Sequence, residues 1–285
     1  MTGLLSLVLL ASSARELQGD ASVRSRDGVS IRYHVEGVGE PALVFVHGWS
    51  CDRSYWDAQV PYFARQHRVV TLDLAGHGQS GLSRRSYTVP AFAADVRAVV
   101  GALGLQRVVL VGHSMGGPVI VEAAQQMPDQ VEALVPVDIF FNVDQKLSTA
   151  DRARFIGTLE RDFPVATRDF VTLGMFTPQS DPALVKRIAD SMAARPARVG
   201  VSAMRGLWAY DAAAALGRLS VPIRAINSDR RKTDLEAARR HAPQFDAVFL
   251  HGTGHFLMLE DPEGFNRLLE QTLIELVPPS RAAAP

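Results

Sequence analysis

The chain has 285 residues, of which 47% are hydrophobic and 21% charged, a balance typical of a globular protein with a sizeable core. Its 30 Lys and Arg residues balance 30 Asp and Glu residues, so it lacks the basic excess of nucleic-acid-binding proteins, and no nucleic-acid partner is expected. Cys51 is the only cysteine, which excludes an intramolecular disulfide and a cysteine metal cluster. No apolar run approaches the roughly 20 residues of a membrane-spanning helix, and composition leaves the oligomeric state open.

The N-terminal segment, residues 1–22, has two interpretations. Leu4 to Ala11 is apolar, and the small residues up to Ala14 could form a cleavage site, as in a signal peptide of a secreted or periplasmic protein. The Lys or Arg that usually precedes such an apolar stretch is missing. The alternative is a short helix that is retained in a cytoplasmic protein.

Buried strands and helices alternate through the first half of the chain. Residues 23–35 resemble two short strands around the turn Asp27-Gly28. Continuous apolar runs without polar alternation then predict parallel strands that are buried on both faces, with helices between them. The predicted strands are 42–46, 68–73, 107–112 and 133–138, and the predicted helices are 54–65, 89–103 and 115–127. This order predicts an α/β fold with a mostly parallel, doubly wound sheet.

The strand pattern stops after Asp138 and resumes near residue 221. Between them, residues 139–208 are helical in pattern and rich in Phe and Met. Two further strands and two helices follow, at 221–226, 235–241, 247–250 and 262–276. We therefore predict one α/β core, residues 23–138 and 209–278, with a helical insertion at 139–208 and a short tail at 279–285.

A candidate nucleophile lies between the third apolar run and the next helix. Residues 112–116 read GHSMG, which matches the pattern G-x-S-x-G in a strand-turn-helix context. The chain must reverse sharply there, which exposes Ser114 at the tip of the turn, near a helix N-terminus that stabilises negative charge. The alternative is a tight turn whose serine only caps the helix.

Four motifs in order resemble the α/β-hydrolase fold family, from about Val23 to Leu276. They are HGW at residues 47–49, DLAGHGQS at 73–80, the turn around Ser114, and GHF at 254–256. The resemblance implies that residues 139–208, inserted after the sixth strand, form a cap over the active site of a serine esterase or lipase-like enzyme.

The family resemblance also indicates the general base and the donors to the oxyanion. A late His must take the proton of Ser114, and the resemblance favours His255 over its neighbour His251. Met115, the residue after the nucleophile, is expected to provide one backbone N–H to the oxyanion. The other is expected from the loop after strand 42–46, and the resemblance places it at Trp49.

The acid of the triad is where the sequence departs from the family pattern. Family members usually carry Asp a few residues after the strand that follows the cap, but Arg230 or Arg231 aligns there. Asp229 lies slightly early, and a shortened loop could bring it to His255. Asp138, at the end of strand 133–138, is the alternative, and Asp234 is a third candidate. We expect Asp229.

Neither a cofactor nor a metal is expected. Residues 76–81 read GHGQSG, which fits the dinucleotide pattern G-x-G-x-x-G, but the following segment is typical of a loop and no helix opens at the glycines. No His, Asp and Glu residues occur at metal-ligand spacing. Cys51 has no flanking base and is interpreted as a small apolar loop residue.

The sequence thus predicts a serine hydrolase that cleaves a carboxylic ester of a small or medium apolar substrate through an acyl-enzyme. Lactone or C–C bond hydrolysis and perhydrolysis by the same fold remain alternatives. A ligand-binding protein with little turnover is an alternative from another class, since a poorly held His would lower the catalytic rate by orders of magnitude.

Overall fold

The computed structural model describes residues 18–277, so most of the predicted signal segment and the tail lie outside the described residues. Within these residues, eight strands form one sheet in the order β1-β2-β4-β3-β5-β6-β7-β8, in which β2 pairs antiparallel with both β1 and β4 and all other neighbouring strands are parallel. The strands are β1 Gly19–Arg24, β2 Ser30–Glu36, β3 Ala42–Val46, β4 Val69–Leu72, β5 Val108–His113, β6 Val131–Val137, β7 Ile223–Ser228 and β8 Phe245–Leu250. The predicted fold class is confirmed.

The central strands are apolar because helices cover both of their faces. Every residue of β3, β4 and β5 is buried, as continuous hydrophobic runs predict. The helices are α1 Val60–Phe63, α2 Val89–Ala102, α3 Gly116–Gln126, α4 Thr149–Arg161, α5 Phe163–Gly174, α6 Pro182–Ala193, α7 Ala197–Ala209, α8 Ala212–Leu216, α9 Leu235–His241, α10 Leu257–Glu260 and α11 Pro262–Leu276. Among the described residues, no helix is long and apolar enough to cross a membrane.

In the first 65 residues, the structure differs from two of the predictions. Strand β1 begins at Gly19, so residues 19–22 belong to the sheet and not to a separate N-terminal segment. The helix predicted at 54–65 is divided into a 3-10 turn at Arg53–Trp56 and the short α1. Pro61 explains the division, because proline lacks the N–H of a continuing helix and is tolerated only in a first turn, where α1 places it.

The segment between β6 and β7 contains the helices α4 to α8. The predicted insertion corresponds to α4 to α7, and α7 ends one residue beyond it. Several contacts connect this segment to the core. Arg198 donates to the carbonyl oxygens of Leu82 and Arg84, at 2.7 Å and 3.0 Å. The Tyr87 backbone N–H donates to Ser202 Oγ at 3.0 Å. Helix α7 is therefore fixed against the loop that precedes α2.

A buried ion pair stabilises that loop from the other side. The Arg84 guanidinium contacts the Asp95 carboxylate on α2 through two hydrogen bonds, of 2.6 Å and 3.0 Å. Ser25 Oγ and the Ala75 backbone N–H also donate to this carboxylate. Burial opposes the charge on Arg84, but the carboxylates of Asp27 and Asp95 outweigh it and raise the pKa of Arg84 above its ordinary value.

Candidate active site

Ser114 lies at the tip of the turn between β5 and α3. It is partly exposed and has a φ of 52°, in the left-handed region that non-glycine residues rarely adopt. The turn is tight, since a Cβ on Gly116 would lie 2.6 Å from the Val46 carbonyl oxygen. The Ser114 backbone N–H donates to the Val137 carbonyl at 2.9 Å, which joins the turn to the end of β6. This is the strained geometry that the GHSMG motif predicts.

His255 and Asp138 form a buried pair. The distance between His255 Nδ1 and Asp138 Oδ2 is 2.6 Å, and the Asp138 side chain is fully buried. Asp138 Oδ1 accepts hydrogen bonds from the backbone N–H and the hydroxyl of Ser228, each at 2.8 Å. The His255 backbone N–H donates to the Met175 carbonyl at 2.7 Å. The imidazole is therefore oriented by a carboxylate whose other oxygen is already occupied.

The expected contact between Asp229 and His255 is not found. Asp229 instead contacts His251 Nδ1 at 3.0 Å and accepts a hydrogen bond from the Gly252 N–H at 3.2 Å, on the surface. The hydrogen bond with His251 is the main reason that the pKa of Asp229 lies below its usual value. Asp229 lies away from His255 because β7 continues to Ser228, so Asp229 follows the strand end, where its side chain is exposed.

Asp234, the third candidate, has a different position. Its carboxylate caps α9 by accepting the Ala237 N–H at 3.0 Å, and it also accepts a hydrogen bond from Asn142 at 3.1 Å. The structure therefore brings the alternative acid, Asp138, to His255, and leaves both Asp229 and Asp234 elsewhere.

One of the two expected oxyanion donors follows Ser114 in the turn, and the other is in the loop beside that turn. A Cβ on Gly48 would be 3.3 Å from the Ser114 Cβ, so the loop that follows β3 passes directly beside the serine. Met115 follows Ser114 immediately, at the N-cap of α3. Within residues 18–277, the backbone N–H groups of Trp49 and Met115 have no hydrogen-bond acceptor. Free amides are what an oxyanion hole requires.

Three other histidines form hydrogen bonds with the backbone around the site. His47 Nε2 accepts the Leu74 N–H at 3.0 Å, and His77 Nδ1 contacts the Ala75 carbonyl at 3.1 Å. His113 Nε2, within the GHSMG motif, contacts the His255 carbonyl at 2.9 Å, in keeping with the interpretation of these histidines as residues that hydrogen-bond loop backbone and do not act as bases. Burial lowers the pKa of all three, that of His77 to about 3, so they are neutral at neutral pH.

We expect the Cys51 thiol to be unreactive in the folded protein. It is 1% exposed, and burial, followed by the charge of Asp52, raises its pKa well above the ordinary value. A chromogenic disulfide reagent at pH 8 should therefore detect almost no thiol in the native protein and one per chain in denaturant. Rapid native labelling would contradict this prediction and the interpretation of Cys51 as an apolar loop residue.

Two observations on the described residues concern metal ligands and the glycine-rich segment. In the described part of the chain, no three His, Cys, Asp or Glu side chains are placed to hold a metal ion. The glycine-rich segment after β4 is loop until α2 begins at Val89, so it lacks the helix N-terminus of a dinucleotide-binding turn.

A model of the alpha/beta hydrolase family matches residues 43–268, which include the serine turn, the buried His–Asp pair and the segment between β6 and β7. The chain belongs to the alpha/beta hydrolase family. It is 42% identical over 96 residues to a non-heme haloperoxidase from Rhodococcus erythropolis, covering 33% of this chain and 35% of that protein. It is also 42% identical over 97 residues to a bifunctional esterase/perhydrolase from Acinetobacter calcoaceticus, with the same coverage.

The matches to the first curated relatives thus span about a third of the length of those relatives. Solved structures match over most of the chain. An esterase from Thermogutta terrifontis, solved with malate bound, has a TM-score of 0.79 and 24% identity, over 90% of this hydrolase and 98% of that chain. At this level of identity the likeness establishes the fold alone.

Proposed function

We propose that this alpha/beta hydrolase is a serine hydrolase that cleaves carboxylic esters through an acyl-enzyme, with Ser114, His255 and Asp138 as the catalytic triad. The observation that carries the proposal is the 2.6 Å contact between His255 Nδ1 and the buried Asp138 carboxylate. A His that is oriented by a buried acid and accompanied by a strained, accessible serine is the arrangement that activates a hydroxyl nucleophile.

The proton transfers follow from which ring nitrogen of His255 is hydrogen-bonded to Asp138. Because His255 Nδ1–H donates to Asp138, Nε2 carries the lone pair that accepts the Ser114 proton during attack on the ester carbonyl. The backbone N–H groups of Trp49 and Met115 stabilise the resulting oxyanion. His255 then gives the proton to the leaving alcohol, and later activates the water that releases the acid from Ser114.

The substrate class is inferred from the aromatic side chains between the core and the cap. Trp49 has its ring centroid 5.7 Å from Phe163 and 6.2 Å from Phe170. Phe155 contacts both Phe170 and Trp208, at 4.8 Å and 5.5 Å. Such an apolar cluster beside an oxyanion donor favours an acyl group of small or medium size without charge.

The test is a series of p-nitrophenyl esters from acetate to dodecanoate, compared between the wild type and Ser114→Ala. We expect turnover that depends on Ser114 and is greatest for a short or medium acyl chain. An organophosphonate should label Ser114 rapidly and stop the same turnover. Turnover that persists in Ser114→Ala would contradict the proposal. Rapid labelling without ester turnover would favour lactone or C–C bond substrates, and slow labelling would favour a ligand-binding protein.

A further inference from the structure

The Trp49 indole joins the loop after β3 to the cap. Its Nε1–H donates to the Gly200 carbonyl on α7 at 2.7 Å, and the side chain is 3% exposed. Edge contacts with Phe163 and Phe170 on α5 hold the ring from the other side. Trp49 is the proposed second oxyanion donor, and its side chain thus contacts two helices of the cap, α5 and α7.

The Trp49 contact depends on the absence of a side chain at position 200. A Cβ on Gly200 would lie 2.4 Å from two ring atoms of Phe163 and 3.4 Å from Ser50 Oγ. Phe163 is 3% exposed, so its ring is packed on nearly all sides and can move only by disturbing its neighbours. Any side chain at position 200 therefore displaces either Phe163, against which Trp49 packs, or α7, to which Trp49 is hydrogen-bonded.

Helix α7 is fixed to the core at points other than Trp49. Arg195, just before α7, forms an ion pair with Asp52. Ser202 and Arg198 bond to the loop before α2. The Gly200 carbonyl therefore has a defined position relative to the sheet, and it can act as a fixed acceptor for the indole.

The loop that carries Trp49 is strained and needs outside support. Ser50 has a φ of 55°, and its buried hydroxyl has no hydrogen-bond partner among the described residues. A non-glycine residue in this conformation persists only where its surroundings impose it. Gly48 on the other side of Trp49 packs against Ser114. A shift of the indole would thus be passed to the Trp49 backbone.

We propose that α7 sets the position of the Trp49 backbone N–H through the Gly200 carbonyl and the Trp49 indole, and that Gly200 is a positioning residue for the oxyanion hole. This proposal rests on the proposed serine hydrolase function. Oxyanion donors act only when they lie about 2.7–3.1 Å from the developing charge, so a small displacement of the loop lowers the rate of the chemical step.

The test compares Trp49→Phe, which removes the indole N–H but keeps an aromatic ring, with Gly200→Ala. The phosphonate counts the active sites, and we expect kcat per active site to fall about 10- to 100-fold in both variants. This fall is no larger than the loss in kcat that follows the removal of an oxyanion donor. KM should stay within about threefold of the wild type, because the donor acts on the transition state. A merely structural role would reduce the number of titrated sites and leave kcat per site unchanged.

Two further variants serve as controls. Gly157→Ala makes the same substitution in another cap helix, where the nearest neighbour of the new Cβ is 3.8 Å away, so activity should not change. In the Gly200→Ala background, Phe163→Leu removes the ring atoms that meet the new Cβ, and we expect kcat to recover partly. Thermal unfolding of every variant identifies any that do not fold.

The outcomes separate the two proposals. If the wild type shows Ser114-dependent turnover but kcat per site in Trp49→Phe stays within about twofold, or only KM rises, the positioning role is wrong. Trp49→Phe alone is sufficient for this test if Gly200→Ala fails to fold. If the wild type shows no Ser114-dependent turnover, the proposed function itself fails, and the positioning role fails with it.

Discussion

Replacing Asp138 by Asn is expected to lower kcat/KM for ester hydrolysis by about 10³- to 10⁴-fold, the loss typical of a triad whose His is in the wrong tautomer. The Ser228 backbone N–H can only donate, so it requires the amide oxygen of Asn to occupy the position of Asp138 Oδ1. The amide NH₂ then faces His255 Nδ1, which must accept. Nε2 consequently carries the proton, and His255 cannot act as a base toward Ser114.

The substitution is suitable because it should preserve the fold. Asp138 has a φ of 50°, and Asn is among the few residues that adopt this conformation readily. Asp229→Asn is the matched control, and it should stay within about twofold of the wild type because, among the described residues, the Asp229 carboxylate is hydrogen-bonded to the exposed His251 and Gly252 and not to His255. Initial rates on one ester, with the phosphonate-titrated site count, measure both. If Asp229→Asn lost most of its kcat/KM while Asp138→Asn stayed near the wild type, Asp229 would be the acid of the triad, as expected from the sequence.

The second large effect is expected on stability, from Asp95→Ala. Asp95 is fully buried, and the Arg84 side chain is 4% exposed, so the substitution leaves the buried cation with the partly exposed Asp27 as its remaining carboxylate partner. Breaking one side of a buried ion pair costs about 3–5 kcal/mol of the free energy of unfolding. The Ser25 hydroxyl and the Ala75 N–H lose their acceptor as well.

Asp27→Ala provides the control for this prediction. Asp27 contacts the same guanidinium at 2.7 Å, but its side chain is 42% exposed, and such pairs contribute about 1 kcal/mol or less. Urea unfolding of the two variants and the wild type, followed by fluorescence, measures the difference. If both variants lost the same free energy of unfolding, the burial of Asp95 would not be what makes its ion pair with Arg84 stabilising.

Much of the fold was predictable because its signals are local. Apolar runs of five or six residues predict the buried parallel strands, and the helices α9 and α11 begin and end as predicted. The GHSMG turn was equally local, since a sharp strand-to-helix reversal requires small residues at fixed positions. The buried pair of Arg84 and Asp95 was missed, because nothing in a loop-like segment marks one arginine among several as buried.

The sequence by itself therefore determined the α/β sheet, the serine at its turn and the late His, because each depends on neighbouring residues or on motif order. Only the tertiary structure decided which acid meets His255. Asp138 and His255 are 117 positions apart, and their contact depends on the order of β6 and β7 in the sheet and on where β7 ends. The contact between Trp49 and Gly200, 151 positions apart, is of the same kind, because it depends on how helix α7 packs against the loop after β3.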